Sequence, residues 1–214
     1  MPPKKRTRNP EQTRTKILEV AFIEILTSGF QGVSVDQIVE KTGLTKGAFF
    51  HHFSTKQELG YALVDETLAQ MTLDRWIRPL EQWNNPVEGI IAVLKNIIDT
   101  TPNEHIPLGC PLNNLIQEMS SVDAVFRDKL RDVLELWIAG IEKHLKRAKR
   151  QGYLKKQINP RSLAEFIVMN HEGAFGMTKS IRDRKVFKSL HASLKTYLES
   201  VSSTPVQQTP RRRS

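Results

Sequence analysis

The chain has 214 residues, is 39% hydrophobic with nine Phe and three Trp, and carries a formal charge of +9. That supports one small module plus a larger domain with a real core, and the basic balance favours a polyanionic partner. No run of about 18 apolar residues offers a membrane span; no apolar stretch makes the basic N-terminus a secretory signal, and a lone Cys gives no intramolecular disulfide and fits a reducing cytoplasm.

Residues 1–10, with Lys4, Lys5, Arg6 and Arg8, are expected to be a disordered basic arm that lies along DNA phosphates or enters a minor groove. The first helix is expected from Pro10 or Glu11 to Thr27. Its apolar stripe is Ile17, Leu18, Ala21, Phe22, Ile25 and Leu26, and Gly29 ends it. Ser34 with Gln37 has capping-box spacing and opens a second helix that turns Val35, Ile38 and Val39 to one face. Gly43 stops it, because a residue past a helix end often needs positive φ. Thr45 is an N-cap for a short third helix, Lys46 to His52, with Phe49 and Phe53 facing inward. Two short helices joined by a tight turn make a helix-turn-helix, whose second helix lies in a major groove. Lys46, Gly47, Ala48, Phe50 and His51 are small or cationic for the most part, as an approaching base edge or phosphate requires.

Thr55 with Glu58 forms another capping box and starts a fourth helix carrying Leu59, Ala62, Leu63, Glu66 and Leu68, running as far as Trp76. Its N-terminal amides and the Lys56 ammonium make a phosphate site. Further helices are expected over Pro86–Thr100, Pro111–Ser120, Val122–Gln151, from Asn159-Pro160 onward, and from Asp183 to about Val201, with a loop at 101–110. The cationic run Lys143–Arg150 reads as a solvated surface. No strand alternation occurs. The fold class is all-α with about nine helices: arm 1–10, DNA-binding domain 11–57, helical effector-binding and dimerisation domain 58–202, and disordered tail 203–214.

Residues 11–59 resemble the DNA-binding domain of the TetR family of bacterial transcriptional regulators. The matching pieces are Thr15-Lys16-Ile17-Leu18, Gly29 to Val35, Ile38 to Ala48, His51-His52-Phe53 and Thr55 to Leu59. One departure is Phe50, where members usually carry a tyrosine whose phenol contacts phosphate. Gly109-Cys110, Asn114-Leu115, Glu118, Trp137 and Glu172-Gly173 resemble, more loosely, one branch of the family's second domain. The resemblance implies a homodimer in which the last two helices of each chain form a four-helix bundle. Phe166, Gly173, Ala174, Met177, Phe187, Leu190, Leu194 and Tyr197 are the candidates for that interface. The implied partners are double-stranded DNA with a palindromic operator and a small-molecule effector, without a membrane.

The DNA-contacting set is Ser34, Gln37, Thr45, Lys46, Gly47, Ala48, Phe50, His51, Thr55 and Lys56. Candidates for an effector cavity are Trp76, Cys110, Asn114, Glu118, Met119, Trp137, Phe166 and Asn170, since polar groups among apolar walls set small-molecule specificity. Cys110, between Gly109 and Pro111 at a helix N-terminus, has two readings: a thiol of lowered pKa that senses electrophiles or oxidants, or a small buried hydrophobe. His171 and Glu172 lack metal-ligand spacing, so no metal and no cofactor is expected. No nucleophile elbow, phosphate loop or dinucleotide fingerprint points to an enzyme. The sequence therefore reads as a cytoplasmic, effector-released repressor. The alternatives are a thiol sensor on the same scaffold, or a helical carrier or enzyme with a vestigial DNA module.

Overall fold

Side-chain caps decide where these helices begin. The computed structural model describes residues 10–203. Within them α1 spans Pro10–Ser28, α2 Val35–Thr42 and α3 Lys46–His52. The Ser34 hydroxyl accepts from the Gln37 amide at 3.2 Å, and Gln37 Oε1 accepts from the Ser34 amide at 2.7 Å. Both orphan donors at the start of α2 are thereby satisfied. Gly43, at φ 62°, ends α2 in the left-handed region, and the Thr45 hydroxyl caps α3. Ile17, Ala21, Phe30, Ile38, Phe49 and Leu59 close the core under these helices. Pro10 belongs to α1; the rest of the expected arm, and the expected tail beyond Ser203, lie outside the described residues.

A fourth helix, α4, runs without interruption through residues 56–77 and includes two wide π-helical turns, Leu63–Leu68 and Leu73–Ile77. It starts on the Thr55 cap, while the Glu58 carboxylate reaches Ser54 N rather than completing a box on Thr55. The remaining helices are α5 Pro86–Thr100, α6 Pro111–Met119, α7 Ala124–Arg150, α8 Pro160–Ile181 and α9 Lys185–Val201. The described residues thus form nine helices, and their only β pairing is an isolated bridge between Leu154 and Ser202. The loop expected at 101–110 contains a 3-10 turn, Asn103–Leu108, ending at Gly109 with φ 76°. Helix α7 begins two residues later than expected because Asp123 Oδ1 accepts from the Val125 and Phe126 amides at 2.8 and 3.0 Å.

The most extensive helix contact is between α7 and α8, with α9 packed on α8. The N-terminal module is fastened to this body by close aromatic packing. Phe126 meets Phe30 at 4.8 Å and Tyr61 at 5.0 Å, and the Tyr61 hydroxyl donates to Asp123 at 2.7 Å. Gly60 permits that crossing: a Cβ there would lie 2.4 Å from Phe126. The cationic run of α7 is not simply solvated, since Arg147 donates to Leu80 and Trp83 carbonyls and Lys149 to that of Ile158. These donors satisfy turns that side-chain spacing alone does not reveal.

Candidate functional site

The candidate reading head is the face around α3. Ser34, Gln37, Thr45, Lys46, Gly47, Phe50, His51 and Thr55 are exposed; Ala48 and Lys56 are half-buried. Phe49 anchors the helix from inside, and Phe50 stands 49% exposed against it with ring centres 5.3 Å apart. Lys46 pairs with Asp36 at 2.8 Å. Both side chains are well exposed, so the pair is worth at most about 1 kcal/mol and exchanges readily for a phosphate or base. Gln37 spends its carbonyl oxygen on the cap, which leaves its amide NH₂ as the outward donor. Lys56 is turned inward: its ammonium sits 4.6 Å from the centre of the Phe30 ring and 3.5 Å from the Gln31 carbonyl.

Glu118 lies outside the cavity that Trp76 and Trp137 line. Its two carboxylate oxygens accept from the Phe30 and Gln31 amides at 2.8 and 2.7 Å, which fixes the turn after α1 to the C-terminal end of α6. Arg14 and Glu66 form a second, bidentate link between α1 and α4.

A cavity of about 260 Å³ opens between α4, α6, α7 and α8, with Phe22 and Leu26 of α1 in its wall. Of the expected lining residues, Trp76, Cys110 and Trp137 are there; Arg75, His171 and Phe175 line it as well. Trp76 and Trp137 meet at 5.1 Å, His171 stands edge-on to both, and Phe175 lies 4.3 Å from His171. The other four candidates lie elsewhere. Asn114 bonds the Leu108 carbonyl and Lys179. Met119 is buried in the core, outside the cavity lining, and Phe166 and Asn170 line an outer groove between α8 and α9.

Burial sets the chemistry of this cavity. The thiol of Cys110 is pushed well above its ordinary value by burial and by nearby Glu172, outweighing the helix-terminal amides of Asn113 and Leu112 that pull it down. The lowered pKa expected from the helix N-terminus is therefore not found. His171 is lowered to about 3 by burial and by Arg75, so it is neutral near pH 7. The Glu172 carboxyl is raised to about 7 by burial. Among the described residues no group of three or more His, Cys, Asp or Glu is placed to hold a metal ion. No helix there is long and apolar enough to cross a membrane.

The outer groove collects most of the dimer candidates. Phe166, Gly173, Ala174, Met177, Leu190 and Leu194 line it; Met169 and Met177 are 63% and 55% exposed, and Tyr197, tilted against Phe166, is 41% exposed. Phe187 is a correction: it is fully buried within the chain, 4.6 Å from Phe175, and its ring cannot meet a partner.

Two short helices packed on a longer first one, presenting an exposed helix and joined by one long helix to a larger helical domain with a cavity beside the junction, define a DNA-binding transcriptional regulator. Residues 17–63 match the family model for bacterial regulatory proteins of the tetR family, and residues 86–194 match that for the tetracyclin repressor-like C-terminal domain. The chain belongs to the TetR family. It is 30% identical over 163 residues to the transcriptional regulator AcuR of Cereibacter sphaeroides, covering 72% of this chain and 71% of that one. It is 28% identical over 193 residues to an uncharacterized HTH-type regulator encoded in the lacX 3' region of Lactococcus lactis, covering 90% and 96% respectively. A TetR regulator from Chloroflexus aurantiacus superimposes with a TM-score of 0.82 at 25% identity, covering 92% of this chain and 98% of that one.

Proposed function

We propose that the protein is a homodimeric repressor that binds a palindromic operator and is released by a small molecule in the α4–α8 cavity. The observation that carries this reading is the continuity of α4. Thr55 and Lys56 stand at its DNA end, and Arg75 and Trp76 enter the cavity wall at the other. Because Phe22 and Leu26 also belong to that wall, a ligand there touches the reading module directly. A ligand that prefers one α4 orientation shifts the distance between the two reading heads, which is the differential affinity that release demands.

On DNA, the Thr45, His51 and Thr55 side chains serve as phosphate contacts, Lys56 joins them by swinging off the Phe30 ring, and Gln37, Lys46, Gly47 and Ala48 face base edges. The outer face of α8 and α9, where exposed Met169, Met177 and Tyr197 stand around buried Ala174, Leu190 and Leu194, supplies the surface for the second copy. One head reads only a few base pairs, so pairing two heads gives the half-site spacing that specificity needs. The test is an electrophoretic shift on the DNA upstream of the protein's own gene. Wild type is expected to bind in preference to bulk competitor, and Gln37→Ala with Lys46→Ala to lose that preference. Unchanged binding by the double variant removes the base-reading assignment.

A further inference from the structure

The cavity holds a cation without an acid. Arg75 comes from the second wide turn of α4, a kind of helix irregularity frequent at functional sites. Its only described hydrogen bond is a long one, Nη2 to the Thr101 hydroxyl at 3.4 Å, and no acid among the described residues comes within ion-pairing distance of it. Neighbouring Cys110 is a neutral thiol, and the Glu172 carboxyl beside that thiol is itself buried, out of reach of Arg75 and raised to about 7. A guanidinium is always charged and only donates, so it requires a negative acceptor once water is excluded.

A second observation points the same way. The indole N–H of Trp137 is buried with no hydrogen-bond partner, and the residue is 2% exposed on the cavity wall. Nδ1 of His171, a residue 4% exposed on the same wall, is also without a partner. Indole, like guanidinium, can only donate. Buried polar atoms in native proteins are otherwise satisfied, so the Trp137 N–H lacks an acceptor, while the unpartnered His171 Nδ1 and Glu172 carboxyl oxygens donate or accept according to their protonation. The rest of the wall is mostly apolar, with Trp76, Trp137 and Phe175 in its aromatic part and Thr72, Thr101 and His105 as its further polar residues. At about 260 Å³ the space is small; a cavity of about 150 Å³ accommodates benzene.

We propose that the cavity binds a small organic monocarboxylate, of one ring or a short chain, with its carboxylate on Arg75 and its apolar body against the tryptophans. This rests on the effector reading above and specifies the chemistry of that same site.

The test uses the full-length protein, with intrinsic tryptophan fluorescence and calorimetry at about pH 6, where Glu172 stays protonated and the probe acids stay ionised. The probes are benzoate, phenylacetate and propionate, each compared with its neutral amide, and inorganic phosphate. At least one acid is expected to bind at least tenfold more tightly than its amide, and Arg75→Met to erase that preference. Should Arg75→Met fail to fold, Trp137→Phe keeps an aromatic ring, deletes the donor, and is expected to weaken the acid several-fold more than the amide. Equal binding of acid and amide, binding of phosphate alone, or no binding by any acid overturns the proposal. Operator binding is read in parallel, so that the two levels fail separately. An Arg75-dependent acid that leaves operator affinity unchanged preserves the carboxylate site and removes the effector reading. An amide that releases operator equally from wild type and Arg75→Met preserves the effector reading and removes the carboxylate.

Discussion

Replacing Glu118 by Ala removes the strap between α6 and the reading module. The carboxylate accepts from two backbone amides, Phe30 N part-buried and Gln31 N exposed. Charge-assisted bonds contribute about 1.5–3 kcal/mol each, but the Gln31 amide turns to water when its partner is lost, so its share largely returns. The Phe30 amide has less access to water and carries most of the penalty. The expected net loss is on the order of 2 kcal/mol, or roughly a thirtyfold faster exchange of the Phe30 amide if exchange follows local opening. Hydrogen exchange of the Phe30 and Gln31 amides, read with the urea midpoint at fixed protein concentration, measures both. The strap also joins the cavity, through α6, to the turn after α1. Glu118→Ala is therefore expected to bind operator but to lose most of its response to whatever ligand releases wild type. Glu118→Gln keeps one acceptor and should fall between. Unaltered Phe30 exchange together with a midpoint shift below about 0.5 kcal/mol would refute the reasoning, because that is the range of an ordinary surface substitution.

Glu172→Gln tests the buried carboxyl. Its folded value, raised to about 7 from 4.5, means that stability is fully present below 4.5 and lost as pH rises through 7. The variant, with nothing to ionise, is expected to gain on wild type by on the order of 2 kcal/mol between pH 5 and pH 8; a gap that is the same at both pH values contradicts the burial argument. Cys110→Ser is expected to leave operator release by oxidants or electrophiles unchanged and the wild-type thiol to react slowly with a disulfide reagent, since burial keeps it protonated; rapid labelling of folded protein would restore the thiol-sensor reading. Lys46→Ala should cost roughly 1–3 kcal/mol in operator binding if it reads a base, with relaxed specificity at one position; a uniform loss across sequences, with a shallower salt dependence, would make it a phosphate contact instead. Met177→Glu, placing a charge in the outer groove, should shift the dimer toward monomer in sedimentation, and an unaffected dimer would move the interface elsewhere.

What was legible in the chain was local. Ser34 with Gln37, Gly43, Thr45 and Thr55 announce helix ends through bonds spanning a few residues, so spacing alone places α2, α3 and the start of α4. The continuation of α4 as far as Trp76 was also expected, and the helix ends one residue beyond it. Glu118 was visible as one of a cluster of polar residues, with Asn113, Asn114 and Gln117, on a short helix otherwise apolar, but its partners lie 88 and 87 residues upstream, and nothing in the spacing connects them. Arg75 left a faint signal: Leu68, Thr72 and Arg75 share one helical face, which puts a cation on the inward side. That it faces a cavity depends on how α6, α7 and α8 pack around it, which is tertiary. Phe187 shows the converse problem. An apolar position on the last helix serves either its own core or a second copy, and only its contact with Phe175 decides for the core.

The most direct test is a hydroxyl-radical footprint of the full-length protein on the DNA upstream of its own gene. Two protected stretches related by a two-fold axis, centred about one helical turn or a multiple apart, are expected from paired reading helices. A single unsymmetric footprint, or protection that bulk genomic DNA competes away equally well, would contradict a paired, operator-reading regulator.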